Sequence, residues 1–141
     1  NLAPTPEDPQ NEFHPNPGVS ARYGSTGGPG VGQDSNLTAG YEFPANYASA
    51  GARVITDGQD WSKVVGIMER ALSEYIVGGL KTTMPFYRAL LKTEDFKKGQ
   101  FTTRYIAHNP RLMEYSDVAS EAVCLATLAA EITARGYEPF V

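Results

Sequence analysis

The sequence is short of cysteine, of basic charge and of long apolar runs, and each shortage excludes a class of protein. Cys124 is the only cysteine in 141 residues, which excludes an internal disulfide and a cysteine-based zinc site. Sixteen acidic residues against 12 basic ones give a net charge of −4, so we expect no nucleic-acid partner. The apolar stretches are too short to cross a membrane, so we expect no membrane partner and a cytoplasmic location.

The sequence also lacks a self-contained catalytic motif. The segment Gly24–Gly32 is rich in glycine, but a phosphate-binding loop of the Walker type needs Lys-Ser or Lys-Thr after its last glycine and then a helix. Gln33-Asp34-Ser35 follows instead, so we predict that this segment is the turn of a β-hairpin. No serine lies in a Gly-x-Ser-x-Gly context.

Neither histidine predicts a metal site. His14 has Asp8 and Glu12 nearby in the sequence, but the three lie in a proline-rich segment without helical spacing. His108 precedes Asn109-Pro110 and is interpreted as a surface turn residue. We therefore predict no metal ligands.

The first third of the chain predicts short strands. Residues 1–51 contain seven of the ten prolines, which exclude long helices because each proline removes a backbone donor. Apolar pieces flank the glycine-rich turn at Val19–Tyr23 and Val31, and two further strand candidates are Tyr41–Phe43 and Ala52–Thr56. We expect short antiparallel strands joined by tight turns.

The remainder predicts helices. Apolar residues from Trp61 to Ile76 follow a period of 3.6 residues, with Asp60 as N-cap and Gly78-Gly79 as the stop. A second helix is predicted over Met84–Leu91, with Thr83 as cap, and a third over Asp117–Arg135. The predicted fold class is α+β, a small antiparallel β-sheet followed by packed helices.

Two basic residues have candidate roles that the residues alone leave open. Arg22 ends a predicted strand between Pro17-Gly18 and the glycine-rich turn, where its guanidinium would hold an oxyanion or a carboxylate, or is simply a surface arginine. Lys81 follows Gly78-Gly79 and is predicted to complement the negative C-terminal end of the preceding helix.

An ordered series of short motifs extends from residue 7 to residue 104. Its members are Glu7-Asp8-Pro9, Phe13, Pro15-x-Pro17-Gly18, Arg22-Tyr23, Gly27-Gly28-Pro29-Gly30-Val31, Asp34-Ser35, Gly40-Tyr41, Pro44, Tyr47, Ser49, Met68-x-Arg70-Ala71-Leu72, Glu74-Tyr75, Gly79-x-Lys81-Thr82-Thr83-x-Pro85-Phe86, Phe96, Gly99 and Thr103-Arg104. The series resembles the C-terminal domain of biotin carboxylases, the ATP-grasp subunits of acetyl-CoA, propionyl-CoA and pyruvate carboxylases. The resemblance covers residues 1–106. Residues 107–141 match it less well and are predicted to form a C-terminal helical extension.

The resemblance implies a part in the carboxylation of biotin. In that family, ATP, Mg²⁺ and bicarbonate yield carboxyphosphate, and N1 of a carrier-bound biotin is then carboxylated. The resemblance implies that Arg22 is both the catalytic and the biotin-binding residue, since a fixed guanidinium would stabilise negative charge on the ureido oxygen. The implied cofactors are biotin on a partner, and ATP and Mg²⁺ on the missing ATP-grasp portion. The implied partners are that portion, the biotin carboxyl carrier and carboxyltransferase subunits.

The sequence departs from the family in three ways, which leave two hypotheses open. The ATP-binding residues of the family precede this domain, so the chain is not expected to be active alone. The family's Asp-Ser-Leu-Ile-Ala-Lys reads Ala48-Ser49-Ala50-Gly51-Ala52-Arg53, and its Arg-Ile-Asn-Ala reads Ala3-Pro4-Thr5-Pro6. The chain is then either an enzyme part that completes a biotin carboxylase site or a degenerate, non-catalytic assembly module of a carboxylase complex.

Overall fold

The computed structural model describes residues 1–43 and 51–115, and three helical residues further on at positions 126, 129 and 130. The predicted helix Asp117–Arg135 and most of the 107–141 extension lie outside the described residues. The strands are β1 (Glu7–Asp8), β2 (His14–Pro15), β3 (Gly18–Val19), β4 (Arg22–Gly24), β5 (Val31–Ser35), β6 (Glu42–Phe43), β7 (Ala52–Thr56) and β8 (Ile76–Gly78). The helices are α1 (Trp61–Glu74), α2 (Met84–Lys92), α3 (Glu94–Lys97) and α4 (Tyr105–His108), with 3₁₀ turns at Pro9–Asn11 and Pro110–Met113.

The β-structure forms four antiparallel pairs in the described ranges, rather than one continuous sheet. The pairs are β1–β2, β3–β6, β4–β8 and β5–β7. Antiparallel strands and packed helices confirm the α+β class. Ala52–Thr56 is a strand with the predicted bounds, and it pairs with β5 from Val31↔Thr56 to Ser35↔Ala52.

The predicted hairpin at the glycine-rich segment is wrong. This segment leaves β4 and enters β5, but β4 pairs with β8 and β5 pairs with β7. It is a turn, since the Val31 N–H donates to the Gly28 carbonyl at 3.1 Å, and Gly28 (φ 105°) and Gly30 (φ 75°) adopt positive φ. The turn connects β4 to β5, which belong to different strand pairs, because their partners β8 and β7 come from later in the chain.

Helix α1 begins as predicted and ends earlier. The Asp60 carboxylate accepts a hydrogen bond from the Lys63 N–H at 2.8 Å, which caps the helix. The predicted apolar face is confirmed, since Val65, Met68, Ala71 and Leu72 are buried. The helix ends at Glu74, however, because Tyr75 is extended and the next three residues form β8 against β4.

Helix α2 confirms the predicted start at Met84 and extends one residue past Leu91. The cap differs in detail, because the Thr83 side chain makes no hydrogen bond to the helix. Its hydroxyl accepts the Thr5 N–H at 3.0 Å, and the Thr83 N–H donates to the Thr5 carbonyl at 3.1 Å. Thr83 therefore attaches the N-terminal arm (residues 1–8) to the start of α2.

The main core lies between α1, α2 and the β5–β7 pair. Its buried members are Leu37, Phe43, Ala52, Val54, Val65, Met68, Ala71, Leu72, Tyr75, Met84 and Leu91. A second cluster, Phe86, Leu90 and Leu112, joins α2 to the 3₁₀ turn Pro110–Met113. In the described part of the chain, no helix has the length and apolar character that crossing a bilayer requires. The predicted boundary between residues 106 and 107 falls within α4, and this division stays a prediction.

Candidate functional site

Arg22 lies on the outer face of the β4–β8 pair. Its partner across the pair is Gly78, and a Cβ added to Gly78 would lie 3.2 Å from Nε of Arg22. The side chain of Arg22 therefore lies over Gly78, which has no side chain. The Ser20 hydroxyl donates to the Arg22 carbonyl at 3.3 Å, and the Ala21 N–H donates to the Gly78 carbonyl at 2.8 Å. These bonds fix the backbone from which Arg22 projects.

On the face around Arg22, the β4–β8 pair carries the side chains of Arg22 and Ile76 beside two glycines. Side chains alternate along a strand, so Arg22 and Gly24 share this face with Ile76 and Gly78 of the facing strand. Arg22 is exposed and Ile76 is 53% exposed. A planar guanidinium beside an apolar surface suits a planar polar group such as a carboxylate or a ureido oxygen.

A hydrogen-bonded network lies on the inner side of the same pair. The Tyr23 hydroxyl donates to Ser35 Oγ at 2.8 Å, and it accepts hydrogen bonds from Gln33 Nε2 and, at 3.3 Å, from the Tyr75 hydroxyl. The two tyrosine rings meet edge to face, with centroids 5.8 Å apart. The sequence analysis missed this network. Its residues come from β4, β5 and the end of α1, and no motif links them.

The network extends to Gly51, the residue directly before β7. The Ser35 hydroxyl accepts the Leu37 N–H at 3.0 Å and donates to the Gly51 carbonyl at 3.4 Å. Gln33 Oε1 is the one buried side-chain oxygen or nitrogen without a partner in the described ranges. A buried polar chain thus connects the strand that carries Arg22 to Gly51, where the departure from the family pattern lies.

Burial of the network has a consequence at alkaline pH. Burial, reinforced by the hydrogen bond and charge of Tyr23, raises the pKa of Tyr75 well above its ordinary value of 10.0. Burial also raises the pKa of Tyr87 above that value. Unfolding lets both groups ionise near pH 10, so each stabilises the fold below that pH, and this stabilisation is lost as the pH rises further.

We therefore expect the free energy of unfolding to fall above about pH 10, by up to about 1.4 kcal/mol per pH unit for each tyrosine that ionises only when unfolded. Tyr75→Phe should flatten this slope, since it removes one such group. Denaturant titrations of the parent protein and the variant at several pH values measure how the free energy of unfolding changes with pH. Lysines also ionise in this range, but they are the same in both proteins and so do not affect the difference. Equal slopes would contradict this account of Tyr75.

Lys81 does not have its predicted role. Its ammonium lies 2.6 Å from an Asp8 carboxylate oxygen, which ties the N-terminal arm to the loop before α2. The C-terminal carbonyls of α1 are instead bound by Arg88 of α2. Its guanidinium donates to the Leu72 carbonyl at 2.7 and 3.1 Å and to the Tyr75 carbonyl at 3.1 Å. The sequence pattern failed because Arg88 reaches α1 only through the packing of the two helices.

The two histidines and Arg22 lie on three different elements. His14 is exposed on β2, with Nδ1 2.7 Å from the Asn11 carbonyl oxygen, and His108 is the exposed last residue of α4. Across the described ranges, no three His, Cys, Asp or Glu side chains converge in a way that would hold a metal ion. Cys124 lies outside the described residues.

Gly51, at which the sequence departs from the family pattern, is tightly surrounded. A Cβ at Gly51 would lie 2.7 Å from Phe43 Cζ and 2.9 Å from Leu37 Cδ2. Both neighbours are buried, so their side chains fill the space that the family's larger residue would need. Residues 44–50 of this stretch lie outside the described residues. The described end of the stretch is therefore closely packed.

Comparison with known proteins gives one consistent family. The family model of the biotin carboxylase C-terminal domain matches residues 5–108. Biotin carboxylase 1 of Bacillus subtilis is 41% identical over 71% of this chain and 22% of its own. The 2-oxoglutarate carboxylase small subunit of Hydrogenobacter thermophilus is 34% identical over 89% of this chain and 27% of its own.

Solved structures agree with the sequence relatives. The biotin carboxylase domain dimer of Hydrogenobacter thermophilus 2-oxoglutarate carboxylase, solved with MgADP, ADP and bicarbonate, has a TM-score of 0.79 to this chain at 34% identity. The match covers 82% of this chain and 26% of that one. The chain spans about a quarter of the length of the proteins it resembles.

Proposed function

Because this chain belongs to the family of biotin carboxylase C-terminal domains, we propose that it is the C-terminal part of a biotin-dependent carboxylase. In this role it completes the site at which biotin N1 is carboxylated with ATP and bicarbonate. The observation that carries the proposal is the family match, which runs over residues 5–108 and so includes every described strand and α1 to α4.

The nucleotide and the metal would be bound by another portion of the enzyme. The structure of the Hydrogenobacter domain contains MgADP and bicarbonate, but this chain corresponds to only 26% of that chain. The described residues offer no cluster that fits a metal ion. In this proposal, an ATP-grasp portion binds ATP, Mg²⁺ and bicarbonate, and this chain supplies one wall of the site. The further partners are a biotin carboxyl carrier and carboxyltransferase subunits, in the cytoplasm.

Arg22 is the residue of this chain that would touch biotin. Arg22 is exposed on the β4–β8 pair, and the Ser20 hydroxyl and the Ala21 N–H make hydrogen bonds that hold the adjacent backbone. When biotin is deprotonated at N1, negative charge develops on the ureido oxygen, and a fixed guanidinium donor stabilises that charge. The Arg22 side chain lies over Gly78 of the facing strand, which has no side chain of its own.

A complementation experiment tests the proposal. The chain is mixed with a biotin carboxylase truncated before its C-terminal domain, and bicarbonate-dependent ATP hydrolysis is measured with free biotin. We expect activity only in the mixture, and a loss of about tenfold with Arg22→Ala because one charge-assisted donor is removed. Arg53→Ala, which removes an exposed strand arginine from β7, is the matched control and should retain full activity.

The outcomes separate the two parts of the proposal. No activity in the mixture, despite a stable complex, would reject the role in completing the site. Activity that is equal with Arg22→Ala and Arg53→Ala would keep that role and remove Arg22 from it.

The alternative function is a non-catalytic assembly module of a carboxylase complex. The departures at Ala3–Pro6 and Ala48–Arg53 favour it. Residues 3–6 form no strand, and the arm contacts β7 through a single antiparallel bridge between Leu2 and Val54. A complex with carboxylase subunits that forms equally well with Arg22→Ala, and without any gain in turnover, is the result that this alternative predicts.

A further inference from the structure

The Tyr23 hydroxyl is the centre of the hydrogen-bonded network on the inner side of the β4–β8 pair. A phenol hydroxyl has one proton to donate and two lone pairs that accept. Tyr23 uses all three, since it donates to Ser35 Oγ at 2.8 Å and accepts from Gln33 Nε2 and, at 3.3 Å, from the Tyr75 hydroxyl. Three partners from three directions therefore fix the position of this hydroxyl.

These bonds connect β4 to elements with which it forms no backbone pairing in the described ranges. Gln33 and Ser35 lie on β5, which pairs with β7, whereas β4 pairs with β8. Tyr75 directly follows α1 and is 1% exposed. Its ring also meets that of Tyr23 edge to face. One side chain of β4 thus joins the two strand pairs and the end of α1.

The pairing of β4 with β8 alone is a weak constraint. β4 has three residues, and its pairing with β8 runs only from Arg22↔Gly78 to Gly24↔Ile76. Two of the six paired residues are glycines, which offer no side chain for packing across the pair. A two-stranded ladder is marginally stable without further packing. β4 therefore needs an additional anchor, and the bonds of Tyr23 supply one.

Tyr23 directly follows Arg22 on β4. Successive side chains of a strand point to opposite faces, so Tyr23 is anchored on the inner face while Arg22 extends on the outer face. A strand that is held through an inner side chain resists rotation about its own axis, which sets the direction of the outer side chain. A group that acts on a reacting ligand must be held to within about 0.5 Å and 10–20°.

We propose that Tyr23 is a positioning residue for Arg22. Its hydroxyl holds β4 against β5 and the end of α1, and so limits the directions in which the Arg22 guanidinium can point. This inference rests on the proposed function for its ligand, biotin, and on the bonds of Tyr23 for its geometry. Tyr23 acts through Arg22, because its own side chain lies on the opposite face of the strand pair.

Hydrogen exchange in the full chain tests the anchor. Tyr23→Phe keeps the ring and removes the three hydrogen bonds, and it leaves Gln33, whose Oε1 already lacks a partner, without a partner for its nitrogen as well. Amide exchange of β4, followed by mass spectrometry, should become about tenfold faster. Tyr87→Phe is the matched control and should leave β4 exchange unchanged, because the hydroxyl it removes bonds the Ala3 carbonyl at 3.2 Å.

The complementation assay tests the effect on biotin. Tyr23→Phe should lower kcat/KM for biotin about fivefold and leave the KM for ATP unchanged, because Arg22 acts on biotin. In an Arg22→Ala background, Tyr23→Phe should cause no further loss. Gln33→Met removes one bond to β5 together with the buried oxygen that has no partner, so it should fold. We expect it to cause a smaller loss of about twofold, with the same dependence on Arg22.

The remaining results separate this inference from the proposed function. Exchange of β4 that Tyr23→Phe leaves unchanged would overturn the inference. A loss of biotin turnover that is equally large with and without Arg22, or equally large with Tyr87→Phe, would also overturn it, because Tyr23 would then support the fold in general. Faster β4 exchange in Tyr23→Phe alone, in a chain that restores no activity to the mixture, would reject the proposed function and support the anchoring of β4 by Tyr23.

Discussion

Gly79→Ala is expected to lower the free energy of unfolding by about 3 kcal/mol or more. Gly79 has φ 100°, a backbone conformation that an L side chain rarely adopts. An added Cβ would lie 2.8 Å from the Val19 carbonyl oxygen and 2.9 Å from both N and Cβ of Ala21. These neighbours are mostly backbone, so no side-chain rotation relieves the overlap. Denaturant unfolding followed by circular dichroism measures the loss.

The matched control is Gly66→Ala, at an exposed position inside α1. A Cβ there meets no atom within 4 Å, and alanine favours a helix over glycine. We expect Gly66→Ala to raise the free energy of unfolding by about 0.5–1 kcal/mol. If the two substitutions changed stability by similar amounts in the same direction, the steric argument at Gly79 would be refuted.

Arg88→Ala is expected to cost about 2–4 kcal/mol of stability. The guanidinium makes three hydrogen bonds to two carbonyls at the end of α1, and one of these carbonyls belongs to the fully buried Tyr75. The substitution leaves these acceptors without their charged donor and removes the favourable interaction with the helix dipole. Thermal and denaturant unfolding of the variant provide the measurement.

Two further variants test whether the planar arrangement of the Arg88 hydrogen-bond donors matters for stability. Arg88→Lys keeps the charge but loses the planar arrangement of donors, so its stability should lie between those of Arg88→Ala and the parent. Arg111→Ala removes an exposed arginine from the 3₁₀ turn and should change stability by no more than about 0.5 kcal/mol. A loss at Arg111 as large as that at Arg88 would point to net charge rather than to the capping bonds.

Both substitutions act on the element that supports Arg22. Gly79 directly follows β8, and Arg88 holds the end of α1 directly before it. β8 pairs with β4 over three residues, including Arg22 opposite Gly78. We therefore infer that the C-terminal end of α1, the buried tyrosines and Gly79 together hold the strand pair that places Arg22 at the surface.

The sequence by itself determined the family, the α+β class and the elements whose signals are local. Asp60 capping α1, the buried face of α1 and the strand Ala52–Thr56 were all predictable, because each depends on residues within a few positions of one another. The motif series from Glu7 to Arg104 carried the family assignment for the same reason, since spacing along the chain is enough to recognise it.

Only the tertiary structure decided which strands pair and which basic residue caps α1. β4 pairs with a strand more than 50 residues later, and Lys81 reaches Asp8 of the N-terminal arm while Arg88 reaches α1. The tyrosine network likewise joins β4, β5 and the end of α1. Such contacts leave no periodic pattern in the sequence, because they depend on how distant elements pack against one another. They also depend on a few turns, such as the one at Gly79, that reverse the direction of the chain.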